Sequence, residues 1–228
     1  MTDDPNLKQT ILNIVNTPKF ESENYFVSDS NGLAVGFVNS WPIWPQKQYL
    51  LYAPPGYGKT HLAHIFQQKT SALYINAAKL DIETLSDCFK IRNGTIAVDN
   101  IESVKNEEAL FHLYNHIKSQ DLYALYISNQ KPAHLNLTLP DLSSRLKTLP
   151  IIELEAADDM LLEAVITKWL GDFQIKVSKE VFSYLLTQIP MNLSDIKIFM
   201  QKLNEISLQE KRNITIPFLK QLIGDLYG

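Results

Sequence analysis

The sequence predicts an α/β fold, a parallel sheet sandwiched by helices over residues 25–156, followed by a small all-α domain over residues 157–228. Three features lead to this reading. Short apolar runs alternate with helical patterns from residue 49 to residue 154, as in a parallel sheet covered on both faces. The first of these runs passes through a Pro/Gly turn straight into a helix that opens with Lys59-Thr60. After about residue 157 the pattern reads as helix alone.

Along the chain, residues 1–24 are polar with scattered apolar positions and are interrupted by Pro18; they read as a flexible N-terminal arm. Residues 25–48 mix apolar residues with Trp41-Pro42-Ile43-Trp44-Pro45, where aromatic rings beside proline anchor a linker on the core. Tyr49 to Tyr52 is an apolar run ending at a turn, hence a buried strand. Further strands are predicted at Ser71–Asn76, Thr95–Val98, Leu122–Ile127 and Ile151–Leu154. The intervening helices are Thr60–Gln68, Asp81–Phe89 and Glu107–Ser119. The last carries Leu110, Leu113, Tyr114 and Ile117 on one face, with Asn106 as N-cap. In the C-terminal part, helices are predicted at Met160–Leu170, Lys179–Gln188, Leu193–Gln209 and Ile216–Leu226. Ile196, Met200 and Leu203 form an apolar stripe, and Thr215 with Pro217 suits a helix start.

Composition narrows the function classes. The 228 residues, 45% of them hydrophobic, suffice for one domain with a core plus a small appendage. Lys and Arg total 21 against 25 Asp and Glu, a net charge of −4, which carries no general footprint for duplex DNA. The single cysteine, Cys88, cannot form an internal disulfide and points to a reducing cytosol. Met1-Thr2-Asp3-Asp4-Pro5 is wrong for a secretory signal, and no apolar run approaches the roughly 18 residues that span a bilayer. A cytoplasmic protein without membrane contact is expected.

The chemistry concentrates at Ala53-Pro54-Pro55-Gly56-Tyr57-Gly58-Lys59-Thr60, between the first strand and its helix. It matches the phosphate-binding pattern G-x-x-x-x-G-K-[ST], except that Ala53 replaces the first glycine. Gly56 and Gly58 let consecutive backbone N–H groups converge on phosphate oxygens, and the helix N-terminus adds its positive end. Lys59 suits the β- and γ-phosphates, and the Thr60 hydroxyl suits magnesium. Pro55 to His61 are therefore the candidate cofactor-binding residues for ATP or ADP with Mg2+. Asp99, at the C-terminal end of an apolar strand, is the candidate second magnesium ligand. Asn100 stands where many nucleotide hydrolases carry a second acid, and an amide supplies no base, so slow hydrolysis is expected. Glu102 is a weaker substitute, because on a continuing strand it would share the face of Asn100 rather than that of Asp99. Ser128 and Asn129, ending the fourth strand, are candidate γ-phosphate sensors.

These residues resemble the DnaA family of P-loop AAA+ proteins, and within it the Hda-like branch of regulatory inactivators. The resemblance runs from about Tyr25 to Leu226. It rests on Tyr25-Phe26-Val27-Ser28-Asp29-Ser30-Asn31, similar to the segment that lies near the adenine, and on Lys59-Thr60-His61-Leu62. Val98-Asp99-Asn100-Ile101-Glu102 and Ile214-Thr215-Ile216-Pro217-Phe218 also look like that branch. The most specific match is Leu135-Asn136-Leu137-Thr138-Leu139-Pro140-Asp141-Leu142-Ser143-Ser144-Arg145-Leu146. The resemblance implies that Arg145 is an arginine finger acting in trans on a neighbouring subunit's nucleotide, that the helical part is a lid, and that DnaA is a partner. There are departures. The lid arginine of the family would align near Ser194, where none stands, and Lys197 lies one turn on. The chain also reaches Gly228 without the helix-turn-helix domain of DnaA, so no sequence-specific DNA binding is expected.

In the arm, Gln9-Thr10-Ile11-Leu12-Asn13-Ile14 resembles a sliding-clamp-binding peptide, with Gln9, Leu12 and Ile14 as anchors. The DNA polymerase sliding clamp is thus a second expected partner, and a homo-oligomer a third. His112 and His116 are spaced for zinc but lack a third ligand and read as ordinary helix residues; His61 and His64 read as packing or surface residues, and Lys211-Arg212 is too short for a nucleic-acid patch. The leading reading is an Hda-like AAA+ regulator of replication initiation that promotes hydrolysis of DnaA-bound ATP in association with the clamp. Its rivals are an autonomous ATPase of helicase-loader type and a non-catalytic, nucleotide-dependent replication adaptor.

Overall fold

A computed structural model describes residues 20–22, 25–91, 94–189, 192–210 and 213–227. The described residues form two compact units: Asp29–Ala156, and a second unit that joins those up to Ser28 with those from Ala157 onward.

The first unit is built on a five-stranded sheet of β3 (Gln48–Tyr52), β4 (Leu73–Asn76), β5 (Thr95–Asp99), β6 (Tyr123–Ser128) and β7 (Ile151–Glu153). Its order is β4-β5-β6-β3-β7, and every pairing is parallel. The five strands fall where the apolar runs predict them. Alternation along each strand sends side chains to opposite faces. Leu50, Ile96, Val98, Ala124 and Tyr126 share one core with Leu110, Leu113 and Ile117 of α4 (Glu107–Ser119) and with Leu142 and Leu146 of α5 (Pro140–Lys147). The intervening Leu51, Ala97, Leu125 and Ile127 are equally buried, and α2 (Lys59–Thr70) presents buried Leu62, Ala63 and Phe66. A short α3 (Ile82–Cys88) and 3-10 turns at Ala77–Lys79, Ile101–Ser103 and Pro132–His134 complete the unit. Asn106 caps α4 as expected, its Oδ1 accepting from the Ala109 N–H at 2.9 Å; such a cap stabilises by about 1 kcal/mol.

Helix α1 (Asp29–Asn39) has no counterpart in the sequence reading. Gly32 and Gly36 lower its intrinsic propensity, so the periodic signal is faint. Packing supplies what propensity withholds: Ala34, Val35 and Val38 are buried. Trp44 anchors the following linker as predicted, stacking on Phe37 at 4.4 Å and on Phe66 at 5.2 Å while its indole N–H donates to the Phe37 carbonyl.

The second unit contains α6 (Asp159–Asp172), α7 (Lys179–Gln188), α8 (Leu193–Glu210) and α9 (Ile216–Tyr227). Asp158, Ser178 and Thr215 accept from the N–H groups of Leu161, Val181 and Phe218, starting three of these helices. The predicted stripe of Ile196, Met200 and Leu203 is wholly buried and packs with Phe199, Leu185 and Leu219. The two-stranded antiparallel pair β1 (Phe20–Ser22) and β2 (Tyr25–Phe26) belongs to this unit, with the Phe26 ring in its core. Among the described residues, no helix is long and apolar enough to cross a membrane.

Candidate nucleotide site

The candidate phosphate-binding loop joins β3 to α2 at the C-terminal edge of the sheet. Its start is fixed by backbone pairing: β3 and β6 run in register to Tyr52 and Ser128, and the N–H of buried Ala53 donates to the Ser128 carbonyl at 3.3 Å. The first glycine of the motif is replaced without strain, since neither Ala53 nor its neighbours Tyr52 and Pro54 adopt positive φ. Gly56 (φ 84°) and Gly58 (φ 92°) do, in a region that residues with a Cβ disfavour, so these two glycines are needed. Pro55 is exposed, Gly56 and Tyr57 are half-buried, and Thr60 and His61 present exposed side chains from the first turn of α2.

Lys59 is 7% exposed and its Nζ donates to the Pro54 carbonyl at 2.7 Å, folding back over its own loop. Burial pulls its pKa below the ordinary lysine value, while the carboxylates of Glu102 and then Asp99 act to raise it. Those two acids flank it from the end of β5. Asp99 is 3% exposed; its Oδ1 accepts from the Asn100 N–H at 2.8 Å and its Oδ2 from the Tyr74 hydroxyl. Tyr74, on neighbouring β4, stacks on His64 at 5.0 Å. Burial and the Asp99 carboxylate push the Tyr74 phenol well up, so it stays a donor. Tyr74 escaped the sequence reading, because nothing local couples a mid-strand tyrosine to an acid 25 positions away.

The reading of Glu102 needs correction. It assumed that the strand continues past Asp99. Instead β5 ends there, Asn100 takes the left-handed conformation (φ 57°, ψ 45°), and Ile101–Ser103 turn as a 3-10 helix. Asparagine tolerates that conformation well. The reversal swings Glu102 onto the end of β6. Its Oε2 accepts from the Ser128 hydroxyl at 3.2 Å and the Asn129 N–H at 3.1 Å, and its Oε1 from Asn129 Nδ2 at 2.8 Å. Ser128, in turn, accepts from the Gln130 N–H at 3.0 Å. Lys59, Asp99, Glu102, Ser128 and Asn129 are thus one cluster, assembled from three adjacent strand ends.

Arg145 lies elsewhere in the unit, on α5. Its guanidinium sits over the rings of Phe111 (4.9 Å) and Tyr114 (5.6 Å), and Nη1 donates to Asn115 Oδ1. It makes no ion pair among the described residues. The segment leading into α5 is held by Glu107, which accepts from the N–H groups of Thr138 (2.9 Å) and Leu139 (2.6 Å). A surface cavity of about 710 Å³ opens beside this contact, lined by Lys79, Lys105, Glu107 and Leu139 among others, and includes none of the phosphate-loop residues.

Other sequence candidates resolve simply. His116 donates to the Ile91 carbonyl at 3.1 Å and packs against Phe89; among the described residues no cluster suits a metal ion held by His, Cys, Asp and Glu alone. Ser194 and Lys197 are exposed on α8. Gln9, Leu12, Ile14 and Lys211-Arg212 lie outside the described residues.

Residues 172–223 match the family model of the Hda lid domain. A Haemophilus influenzae protein described as uncharacterized is 29% identical over 190 residues, covering 78% of this chain and 82% of its own. The fold is that of domain III of the Thermotoga maritima replication initiation protein DnaA: TM-score 0.74 at 19% identity, over 89% of this chain and 95% of that one. AMPPCP-bound DnaA from Aquifex aeolicus is similar over 81% of this chain and 64% of its own (TM-score 0.66, 22% identity). A Thermotoga maritima RuvB variant is similar over 88% and 70% (TM-score 0.69, 16% identity). The chain thus has a fold similar to that of DnaA domain III, and its residues 172–223 match the Hda lid model.

Proposed function

We propose that this protein binds ATP or ADP with magnesium and regulates replication initiation by promoting hydrolysis of ATP held by DnaA, in association with the sliding clamp. The nucleotide part is supported by the loop itself. Left-handed Gly56 and Gly58 precede a helix N-terminus, and Lys59 has ammonium protons to spare beyond the one given to Pro54. Thr60 and Asp99 fit a magnesium ion: the first is an exposed hydroxyl on the opening turn of α2. The second is a buried carboxylate whose two oxygens each keep a further lone pair. Such an ion neutralises phosphate charge when bound. Ser128 and Asn129, at the end of β6 beside the loop, are the proposed sensors of a third phosphate.

The observation that carries the regulatory part is the state of Arg145. An arginine that served only local stability would be expected to pair with a carboxylate, such as Asp141 on its own helix. Arg145 instead rests on an aromatic shelf with one neutral hydrogen bond, its charge uncompensated by an ion pair among the described residues. A guanidinium so placed keeps a permanent charge and free donors for phosphate oxygens of another subunit. The cation–π contacts, worth about 0.5–2 kcal/mol together with burial, orient it without neutralising it.

The test is single-turnover hydrolysis of ATP bound to DnaA, with clamp present. Arg145→Ala is expected to stay folded and nucleotide-bound while losing stimulation by on the order of a thousandfold. Removing residues 1–15, which carry Gln9, Leu12 and Ile14, is expected to abolish clamp binding and leave nucleotide binding intact. Stimulation by Arg145→Ala equal to wild type would remove the finger role and favour the adaptor reading.

A further inference from the structure

We infer that Glu102 sets nucleotide choice by occupying, with its own carboxylate, the hydrogen-bond donors that a third phosphate would need. The inference rests on the proposed nucleotide-binding reading and goes on to a specificity-determining residue. The backbone pairing of Ala53 with Ser128 puts the end of β6 against the start of the phosphate loop. The polar donors there are the Ser128 hydroxyl, the Asn129 side-chain amide and the Asn129 N–H, and Glu102 accepts from each of these groups, leaving only the second proton of the Asn129 amide. A carboxylate is acceptor-only, as is a phosphate oxygen, so the two compete for the same protons. Glu102 also lies within the electrostatic reach of Lys59, ahead of Asp99. A diphosphate in the loop can use Lys59, the Gly58 turn and the helix N-terminus without touching Ser128 or Asn129. A triphosphate must displace Glu102 from three charge-assisted hydrogen bonds or settle for the second Asn129 amide proton, and it brings further negative charge toward a carboxylate. The αL reversal at Asn100 makes this possible, since an extended strand would carry Glu102 past the site.

The experiment measures dissociation constants of the full chain for ADP and for the non-hydrolysable analogue AMPPCP, with magnesium, by calorimetry. Wild type is compared with Glu102→Gln, which removes the charge at constant size, and Glu102→Ala, which removes the acceptors. The expected result is a fall in the ratio Kd(AMPPCP)/Kd(ADP) of about tenfold or more in both variants, the scale of at least one charge-assisted hydrogen bond. A purely structural role would weaken both ligands together and leave the ratio where it was. An unchanged or raised ratio, or loss of ADP binding in Glu102→Gln, overturns the inference while leaving the nucleotide-binding reading standing. Failure of wild type to bind either nucleotide overturns both.

Discussion

Among single residues, the proposed phosphate site turns on Lys59. Its amine is buried, donates to a carbonyl of its own loop, and has two carboxylates nearby. Burial is the larger influence and pulls the pKa down, so the ammonium form is held at some cost until a stronger anion arrives. Phosphate oxygens offer charge-assisted hydrogen bonds of about 1.5–3 kcal/mol each. Lys59→Ala is therefore expected to weaken ADP binding by more than tenfold, with little loss of thermal stability, because the amine's one resolved hydrogen bond is to a loop carbonyl. Calorimetry with both proteins and a thermal melt of each checks this; equal affinities would contradict it. Asp99 belongs to the same design. Two donors, Asn100 N–H and Tyr74 Oη, fix its plane, and both come from backbone positions the sheet dictates.

At the scale of elements, α5 packs on α4 through Leu142 and Leu146, and the segment leading into it is held by Glu107, at the first turn of α4. Burial acts to raise the Glu107 carboxyl, but hydrogen bonds from Thr138 and Leu139 N–H and the Thr138 side chain outweigh it, leaving the group below its ordinary range. A depressed folded-state pKa contributes stability at pH values above the unfolded value, roughly 4.3, and loses it as pH falls through the folded one. Amide exchange at residues 138–139, corrected for intrinsic rates, is accordingly expected to speed up below about pH 4 in wild type. In Glu107→Ala it is expected to be fast already at pH 6. Persisting protection in the variant would show that another contact holds this segment. The arginine seat follows from the same docking, since Phe111, Tyr114 and Asn115 lie on α4 and Arg145 on α5.

For the whole molecule, charge decides one class of partner. A chain with 25 acidic and 21 basic residues meets the phosphates of duplex DNA without a favourable overall field. The expectation is weak, salt-sensitive and sequence-independent retention of duplex DNA, with none remaining at about 0.15 M salt. Competition shift assays across salt concentrations check it, and selective retention of one sequence at that ionic strength would be the contrary result. Each of the two units has its own core, one formed around β3, β5 and β6 with α4, the other among α6 to α9 with Phe26. Units with separate cores are stabilised as separate parts.

The sequence by itself determined what depends on neighbours along the chain. The five apolar strands, the Asn106 cap, the buried stripe of Ile196, Met200 and Leu203, and the glycines of the phosphate loop all follow from local periodicity, capping chemistry and backbone sterics. Where those signals are weak, tertiary packing decided. Helix α1 forms despite two glycines because its apolar face is buried. Strand order β4-β5-β6-β3-β7 is set by how helices cover the two faces, which no periodicity encodes. The site divides the same way. Lys59 and Thr60 stand out because their motif is contiguous, and Asp99 because it ends an apolar run. The link from Glu102 to Asn129 spans 27 positions, that from Tyr74 to Asp99 spans 25, and that from Asn115 to Arg145 spans 30. Side chains so far apart meet only when parallel strands end side by side and helices dock across them, and one left-handed residue, Asn100, turned an acid that the strand pattern pointed away into a member of the cluster.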